Sequence, residues 1–279
     1  MGKFARVAAD VAIYRATWGG SQNFLGARWV ERVVDSSPAL VRERVALRFL
    51  SFSPHYFFDP DIQGESARNR QSRQILADEL IAPYLTSRTR VLDYGCGPGY
   101  LAVAVAEKAA HVDAVDISCG VLACARVLNA RPNIRYQTPA ELAGNAMADV
   151  AYSFAVVQHL RTETLEQVLS LLAAAMRPGA ALLLHFAVPD QVWRTEGQWL
   201  SDRSLAGRTK LRYGLNCFGR SAAEMADLVA RNGFTDVTVR PLSGSITLPC
   251  DDVQDQHLLT AQRHDGNPDD HRQRPPATS

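Results

Sequence analysis

Asp93, Gly95, Gly97 and Gly99 alternate through VLDYGCGPGY, Val91 to Tyr100, at the end of an apolar run. A carboxylate inside a glycine-rich turn can pair with the ammonium group of a ligand. Glycine leaves out the Cβ that would stop the backbone closing on that ligand, and it accepts the positive φ such a turn uses. The spacing is acidic-x-Gly-x-Gly-x-Gly. A dinucleotide fingerprint, Gly-x-Gly-x-x-Gly, would need glycine where Tyr100 stands. The Asp93 charge would also repel a diphosphate, so an NAD-binding dehydrogenase fits less well. A second carboxylate, Asp116, closes the run HVDAVD 19 residues after Gly97. Two histidines stand near the ends of later apolar runs, His159 in VVQHL and His185 in LLLHF. A neutral imidazole placed there can take a proton from a hydroxyl. For each, the alternative is a packed or capping histidine, and that alternative weighs more for His185.

Such residues work together only if a frame brings several strand ends to one edge. From about residue 75 strand and helix patterns alternate, which predicts a parallel sheet with helices on both faces. Ligands of such sheets bind at the carboxyl ends of the strands, where Asp93, Asp116, His159 and His185 all fall. Ser221-Ala-Ala-Glu224 is a capping box that starts a late helix. VTVRPL and HLLTAQR follow with no crossover helix between them, as an antiparallel hairpin would. Residues 1–74 read as an N-terminal helical cap or lid: Phe4, Val7, Ala8, Val11 and Tyr14 recur at helical spacing, and Pro38 opens ALVRERVALRF. The aromatic stretch SFSPHYFFD could wall an acceptor pocket or anchor the cap, and anchoring is favoured. The core takes residues 75–263, and the Pro-rich, charged tail 264–279 reads as disordered.

In this order and at these intervals the motifs resemble those of class I S-adenosylmethionine (SAM)-dependent methyltransferases, and small-molecule O-methyltransferases among them. VLDYGCGPGY resembles the first motif and HVDAVDIS the second strand. TPAEL resembles the loop after the third strand, and DVAYSFAVVQHL the fourth strand with its turn. MRPGAALLLHF resembles the fifth strand, and FGRSAAEMADLVARNGF the helix before the sixth. One glycine loop would be a weak signal, but a run of ordered matches is a strong one.

The resemblance implies a Rossmann-like α/β fold with a seven-stranded sheet, mostly parallel, its last strand antiparallel. It implies SAM as cofactor. Asp93, Gly95, Cys96, Gly97 and Gly99 would hold it from the loop, Asp116 and Ile117 after the second strand, Pro139 and Ala140 after the third, and Ser153 and Phe154 after the fourth. Asp116 would accept from both ribose hydroxyls. The family usually has Asp where Pro139 stands, and Ala140 still offers a backbone N–H to the adenine. Some members hold the SAM carboxylate with an arginine near Arg73, although a solvated face shared with Arg68 and Arg70 is an equal reading. In some members a histidine in the turn of His159 faces the acceptor, which makes His159 the first candidate base. Cys96 reads as a packing residue rather than a nucleophile. The insert Trp193 to Phe218 lies where the family places acceptor-binding elements. Its Trp193, Trp199, Tyr213 and Phe218 suit an aromatic or polyketide-like metabolite, and equally a sugar.

The function expected is methyl transfer to a small-molecule acceptor, with oxygen the first choice of atom. A nucleic-acid methyltransferase and a non-catalytic SAM-binding protein are the alternatives. Enzymes acting on base amines carry Asn/Asp-Pro-Pro-aromatic after the fourth strand, whereas here the residues are Ser153-Phe154-Ala155-Val156. A formal net charge of +1 also argues against a nucleic-acid partner. With 47% hydrophobic and 21% charged residues the composition is that of an ordinary globular protein. Five cysteines without paired C-x-x-C spacing, and carboxylates and histidines without ligand spacing, predict neither disulfides nor a metal. No apolar run reaches membrane-spanning length, and Asp10 and Arg15 interrupt the first segment, so the expectation is cytoplasmic. The N-terminal helices could exchange contacts in a homodimer.

Overall fold

Along each central strand, successive apolar residues leave for opposite faces, as the period of two in an extended chain requires. Val91 joins a cluster with Leu76, Leu80, Leu101 and Val105 on one face, and Leu92 joins Leu165, Leu169 and Leu172 on the other. Val150 and Ala151 divide the same way, as do Leu183 and Leu184. A strand buried on both faces has to be apolar throughout, which is why these segments lack a polar alternation. The computed structural model describes residues 26–51, 61–142, 147–189, 193–213, 216–242 and 256–264.

Seven strands form one sheet in the order β3-β2-β1-β4-β5-β7-β6. They are β1 (Arg90–Tyr94), β2 (His111–Val115), β3 (Ile134–Gln137), β4 (Ala148–Ser153), β5 (Met176–Ala187), β6 (Phe234–Pro241) and β7 (Gln256–Arg263). The ladders β1–β2, β1–β4, β2–β3 and β4–β5 are parallel, and β7 runs antiparallel to both β5 and β6. This is the sheet expected from the sequence. The strand order reverses between β1 and β4, and the carboxyl end of that pair is the crevice of a doubly wound fold.

The helices are α1 (Ala27–Ser36), α2 (Ala39–Leu50), α3 (Ile62–Leu76), α4 (Tyr100–Ala106), α5 (Cys119–Leu128), α6 (Pro139–Leu142), α7 (Thr162–Ala175), α8 (Glu196–Ser201), α9 (Leu205–Tyr213) and α10 (Ala222–Arg231). Asp61 caps α3 through the Gly64 N–H, and Ser221 with Glu224 forms the capping box of α10. Helix α3 runs across the expected boundary at residue 74, and its Ser66 hydroxyl lies 2.9 Å from the Tyr100 hydroxyl at the start of α4. Helices α1 and α2 dock on α5, where Val30, Val34, Leu47 and Leu50 meet Ala123 and Cys124. The approach depends on Gly120, because a Cβ there would come within 2.7 Å of the Ala27 carbonyl oxygen. The aromatic stretch expected to act as lid or anchor lies, from Phe52 onward, outside the described residues, as do the helical pattern of residues 4–14 and the tail beyond 264.

Candidate active site

The glycine loop folds onto the end of β2. Gly95 and Cys96 donate their N–H groups to the Val115 carbonyl at 2.7 and 2.9 Å. Gly95, Gly97 and Gly99 have φ of 80°, 52° and 82°. A Cβ on Gly99 would stand 2.3 Å from the Tyr136 hydroxyl, so two requirements, conformation and space, fix glycine there. Asp116 is bound into the same turn: its Oδ2 accepts from the Gly97 N–H at 3.0 Å and its Oδ1 from the Ser118 N–H at 2.9 Å. Each oxygen keeps a second lone pair, so the carboxylate that holds the loop can still accept from a ligand diol. Ile117 beside it is 86% exposed, an apolar side chain standing open next to a polar cradle. Pro139 and Ala140 open α6 after the neighbouring strand, half-buried and exposed.

Asp93 is buried at the mouth of this loop, and its Oδ2 has no hydrogen-bond partner. The Tyr152 hydroxyl faces it without reaching hydrogen-bond geometry. Burial pushes the carboxyl up to about 8 against the pull of Tyr152; the Asp116 charge adds to the rise and Arg73 opposes it. An orphaned, buried carboxylate oxygen beside a glycine cradle is the complement of a ligand ammonium group. The residues present fit SAM: Asp93 would meet its ammonium group, the glycine turn would allow close backbone approach, Asp116 would accept from the ribose and Ile117 would offer an apolar surface to a ring.

Arg73, half-buried on α3, donates to the Ser72 hydroxyl at 3.2 Å and its charge reaches both Asp93 and His185. Cys96 is buried and its thiol is pushed well up, by burial first and then by Asp93 and Asp116, so it holds no thiolate. Ser153 and Phe154 face inward. The Ser153 hydroxyl donates to the Tyr94 carbonyl at 2.8 Å, and Phe154 stacks on His185 with ring centroids 6.0 Å apart. These contacts join the ends of β1, β4 and β5.

The two histidines differ sharply. His185 on β5 is fully buried, its Nδ1 accepts the Ala155 N–H at 3.0 Å, and burial drives its pKa down to about 3. It holds the turn after β4, where Ala155 adopts a φ of 59° that favours glycine. His159 closes the short 3-10 turn Val157–His159 after β4. Its Nδ1–H donates to the Asn216 carbonyl at 3.0 Å, and the Cys217 sulfur lies 3.7 Å from the same nitrogen. Burial lowers its pKa, with the Asn216 contact opposing. A neutral imidazole that donates from Nδ1 carries its basic lone pair on Nε2.

Sequence reasoning missed what holds His159. Segment 216–220 lies along the turn: the Phe218 N–H donates to the Gln158 carbonyl at 2.6 Å, and Arg220 donates to the carbonyls of Val157 and Leu160 at 3.2 and 2.6 Å. Glu196 at the start of α8 accepts from the N–H and hydroxyl of Thr162 at 2.9 and 2.7 Å. These partners are about 60 residues apart in the chain or, for Glu196, 34, and no local pattern marks them. The expected aromatic lining is also revised. Trp199 and Phe218 are buried inside the insert, with the Trp199 indole donating to the Cys217 carbonyl at 2.7 Å. The Arg194 guanidinium lies 5.1 Å from the Trp199 ring. Aromatic area is used there to build the lobe. The side chain of Tyr213 lies outside the described residues. No group of three or more His, Cys, Asp or Glu among the described residues is placed to hold a metal, and no described helix is long and apolar enough to cross a membrane.

The family model of the methyltransferase domain matches residues 65–239. N-demethylindolmycin N-methyltransferase of Streptomyces griseus is 31% identical over 37% of this chain and 46% of its own. Malonyl-[acyl-carrier protein] O-methyltransferase of Enterobacter lignolyticus is 28% identical over 58% of this chain and 61% of its own. The chain thus spans about half the length of the curated relatives it matches. Human N-acetylserotonin methyltransferase in complex with SAM shares the fold, with a TM-score of 0.51 and 15% identity over 92% of this chain and 66% of its own. The family match covers more than half of the chain and takes in the glycine loop, Asp116 and strands β1 to β5 of the seven-stranded sheet, so the chain belongs to the class I SAM-dependent methyltransferases.

Proposed function

We propose that the protein transfers the methyl group of SAM to an oxygen of a small-molecule acceptor, with His159 receiving the acceptor proton. The observation that carries this reading is the His159 Nδ1–H bond to the Asn216 carbonyl, which leaves the lone pair on Nε2 at the carboxyl edge of β4. Bound SAM supplies an electrophilic methyl on a sulfonium, so the remaining demands are alignment and removal of a proton. Asp93, the glycine loop and Asp116 orient the donor, and alignment of that kind accounts for much of the acceleration in a displacement. The depressed pKa of His159 keeps the ring neutral at pH 7, ready to accept a proton as the hydroxyl attacks. A hydroxyl needs such a base, whereas a neutral amine acceptor attacks before it loses its proton. The near-zero net charge supports a small molecule over a nucleic acid.

The test is transfer from methyl-labelled SAM to a cell extract split into small-molecule and RNA fractions, with His159→Ala beside the wild type. Label in the small-molecule fraction, lost by about 10²–10⁴-fold in His159→Ala at equal SAM affinity, is the expected result. Label confined to RNA overturns the acceptor class. Equal turnover in the two proteins overturns the role of His159. SAM binding without transfer to either fraction would favour a non-catalytic binding protein.

A further inference from the structure

We infer that Arg220 is a positioning residue for His159, and that with Glu196 and Thr162 it ties the insert α8–α9 to the turn that carries the imidazole. The inference rests on the reading of His159 as the base. Arg220 is 7% exposed, and its guanidinium spends its donors on the Val157 carbonyl, the Leu160 carbonyl and, at 3.4 Å, the Thr162 hydroxyl. Those groups bracket His159 on both sides. The backbone N–H of Arg220 donates to the Ala187 carbonyl at the end of β5 at 3.0 Å, so the arginine itself is fixed to the sheet.

The geometry explains why an arginine stands here. The Val157 carbonyl already accepts the Leu160 N–H at 3.2 Å, and Arg220 gives it a second donor while supplying one to the Leu160 carbonyl; buried carbonyls need such donors. A planar guanidinium can satisfy two diverging acceptors at once, which an ammonium on a flexible stem does poorly. Its charge is balanced by Glu196, whose carboxylate lies 3.7 Å away and also receives the N–H and hydroxyl of Thr162. Glu196 sits in the first turn of α8, on the insert, while Thr162 opens α7.

Two residues before Arg220, Phe218 holds the Gln158 carbonyl; two before that, Asn216 accepts the His159 Nδ1–H. The segment therefore grips the turn at alternate residues, like one strand of a ladder. If Arg220 lets go, the Asn216 carbonyl loses its register with the imidazole. The ring is then free to exchange tautomers, which would put the proton on Nε2 for part of the time. A catalytic group displaced by about 1 Å can lose about 10²-fold in rate. Movements of the insert, where an acceptor would be enclosed, reach His159 through the same contacts.

The experiment is long-range ¹H–¹⁵N correlation of the histidine rings in the full chain, for wild type, Arg220→Met, Arg220→Lys and His159→Ala, the last to assign the signal. SAM affinity is measured alongside by calorimetry. Wild type should show one protonated and one bare His159 nitrogen, as an Nδ1–H tautomer does. Arg220→Met should show averaged shifts, Arg220→Lys an intermediate pattern, and SAM affinity should change less than about threefold in both. An unchanged tautomer in a folded Arg220→Lys or Arg220→Met protein overturns the inference. If Met prevents folding, Lys carries the test alone. The two readings fail separately: a shifted tautomer together with full turnover in His159→Ala would remove the base and keep the tether, whereas an unchanged tautomer together with an inactive His159→Ala would do the reverse.

Discussion

Replacing Asp93 by Asn should change how stability depends on pH before it changes anything else. The carboxyl is buried, lacks a partner on Oδ2, and has its pKa raised from 3.8 to about 8, chiefly by burial. Below pH 3.8 the group is protonated in both the folded and the unfolded chain and carries no penalty. Between 3.8 and about 8 the unfolded chain has released the proton while the folded chain keeps it, so rising pH favours unfolding. The slope is at most about 1.4 kcal/mol per pH unit, and above about pH 8 the penalty is complete. From pH 5 to pH 8 that amounts to a ceiling of about 4 kcal/mol, of which water entering the loop on ionisation recovers part. Asparagine has nearly the same shape and cannot ionise. Urea unfolding of both proteins at intervals from pH 5 to 9 should show the wild type losing about 2–3 kcal/mol relative to Asp93→Asn as pH rises. The difference between the two curves cancels the other titrating groups. SAM should reverse the trend, since an ammonium group beside Asp93 favours the carboxylate. Binding near pH 7 should then release a proton, read by calorimetry in buffers of different ionisation enthalpy. Curves that stay parallel from pH 5 to 8 would refute the reasoning, because they would mean that Asp93 is already ionised in the cofactor-free protein.

Two further substitutions test how the frame is held. Gly99→Ala combines a φ of 82° with a Cβ placed 2.3 Å from the Tyr136 hydroxyl, which is itself held by the Asn129 carbonyl at 2.9 Å. A loss of about 2–4 kcal/mol in urea unfolding is expected, and a loss under about 0.5 kcal/mol would mean that the loop relaxes freely. His185→Leu fills the same space but leaves the Ala155 N–H without its acceptor, at a cost of about 1–3 kcal/mol. Adding Ala155→Gly should return about 1 kcal/mol by relieving the left-handed backbone. No recovery in the double variant would show that His185 does not offset strain at Ala155.

The donor half of the candidate site is built from local motifs that are legible in the sequence. Asp93, three alternate glycines and Asp116 lie within one strand-turn-helix-strand unit, and a parallel sheet leaves little choice about where such a unit ends. The central strands followed for the same reason, because β1, β2, β4 and β5 carry apolar runs separated by helix periods. The capping box at Ser221 and the β6–β7 hairpin rest on equally local chemistry. What the side chains of Ser153 and Phe154 meet was not legible in the sequence: the Ser153 hydroxyl donates to the Tyr94 carbonyl and Phe154 stacks on His185, contacts made with neighbouring strands.

The acceptor half was decided by tertiary structure. Trp199 and Phe218 look like pocket lining in a sequence and are instead the core of the insert, since large apolar area is buried first against whatever lies nearest. Nothing near His159 in the chain tells its tautomer. That is set by a backbone carbonyl 57 residues away, and backbone carbonyls carry no sequence signature. Arg220 and Glu196 likewise gain their meaning only when folding brings their charges to the turn at residues 157–162. The sequence determined which cofactor chemistry this edge of the sheet can serve, because local spacing fixes the donor cradle. Long-range packing determined the surroundings of His159 and His185, because burial and the partner on each ring nitrogen are properties of the folded chain alone.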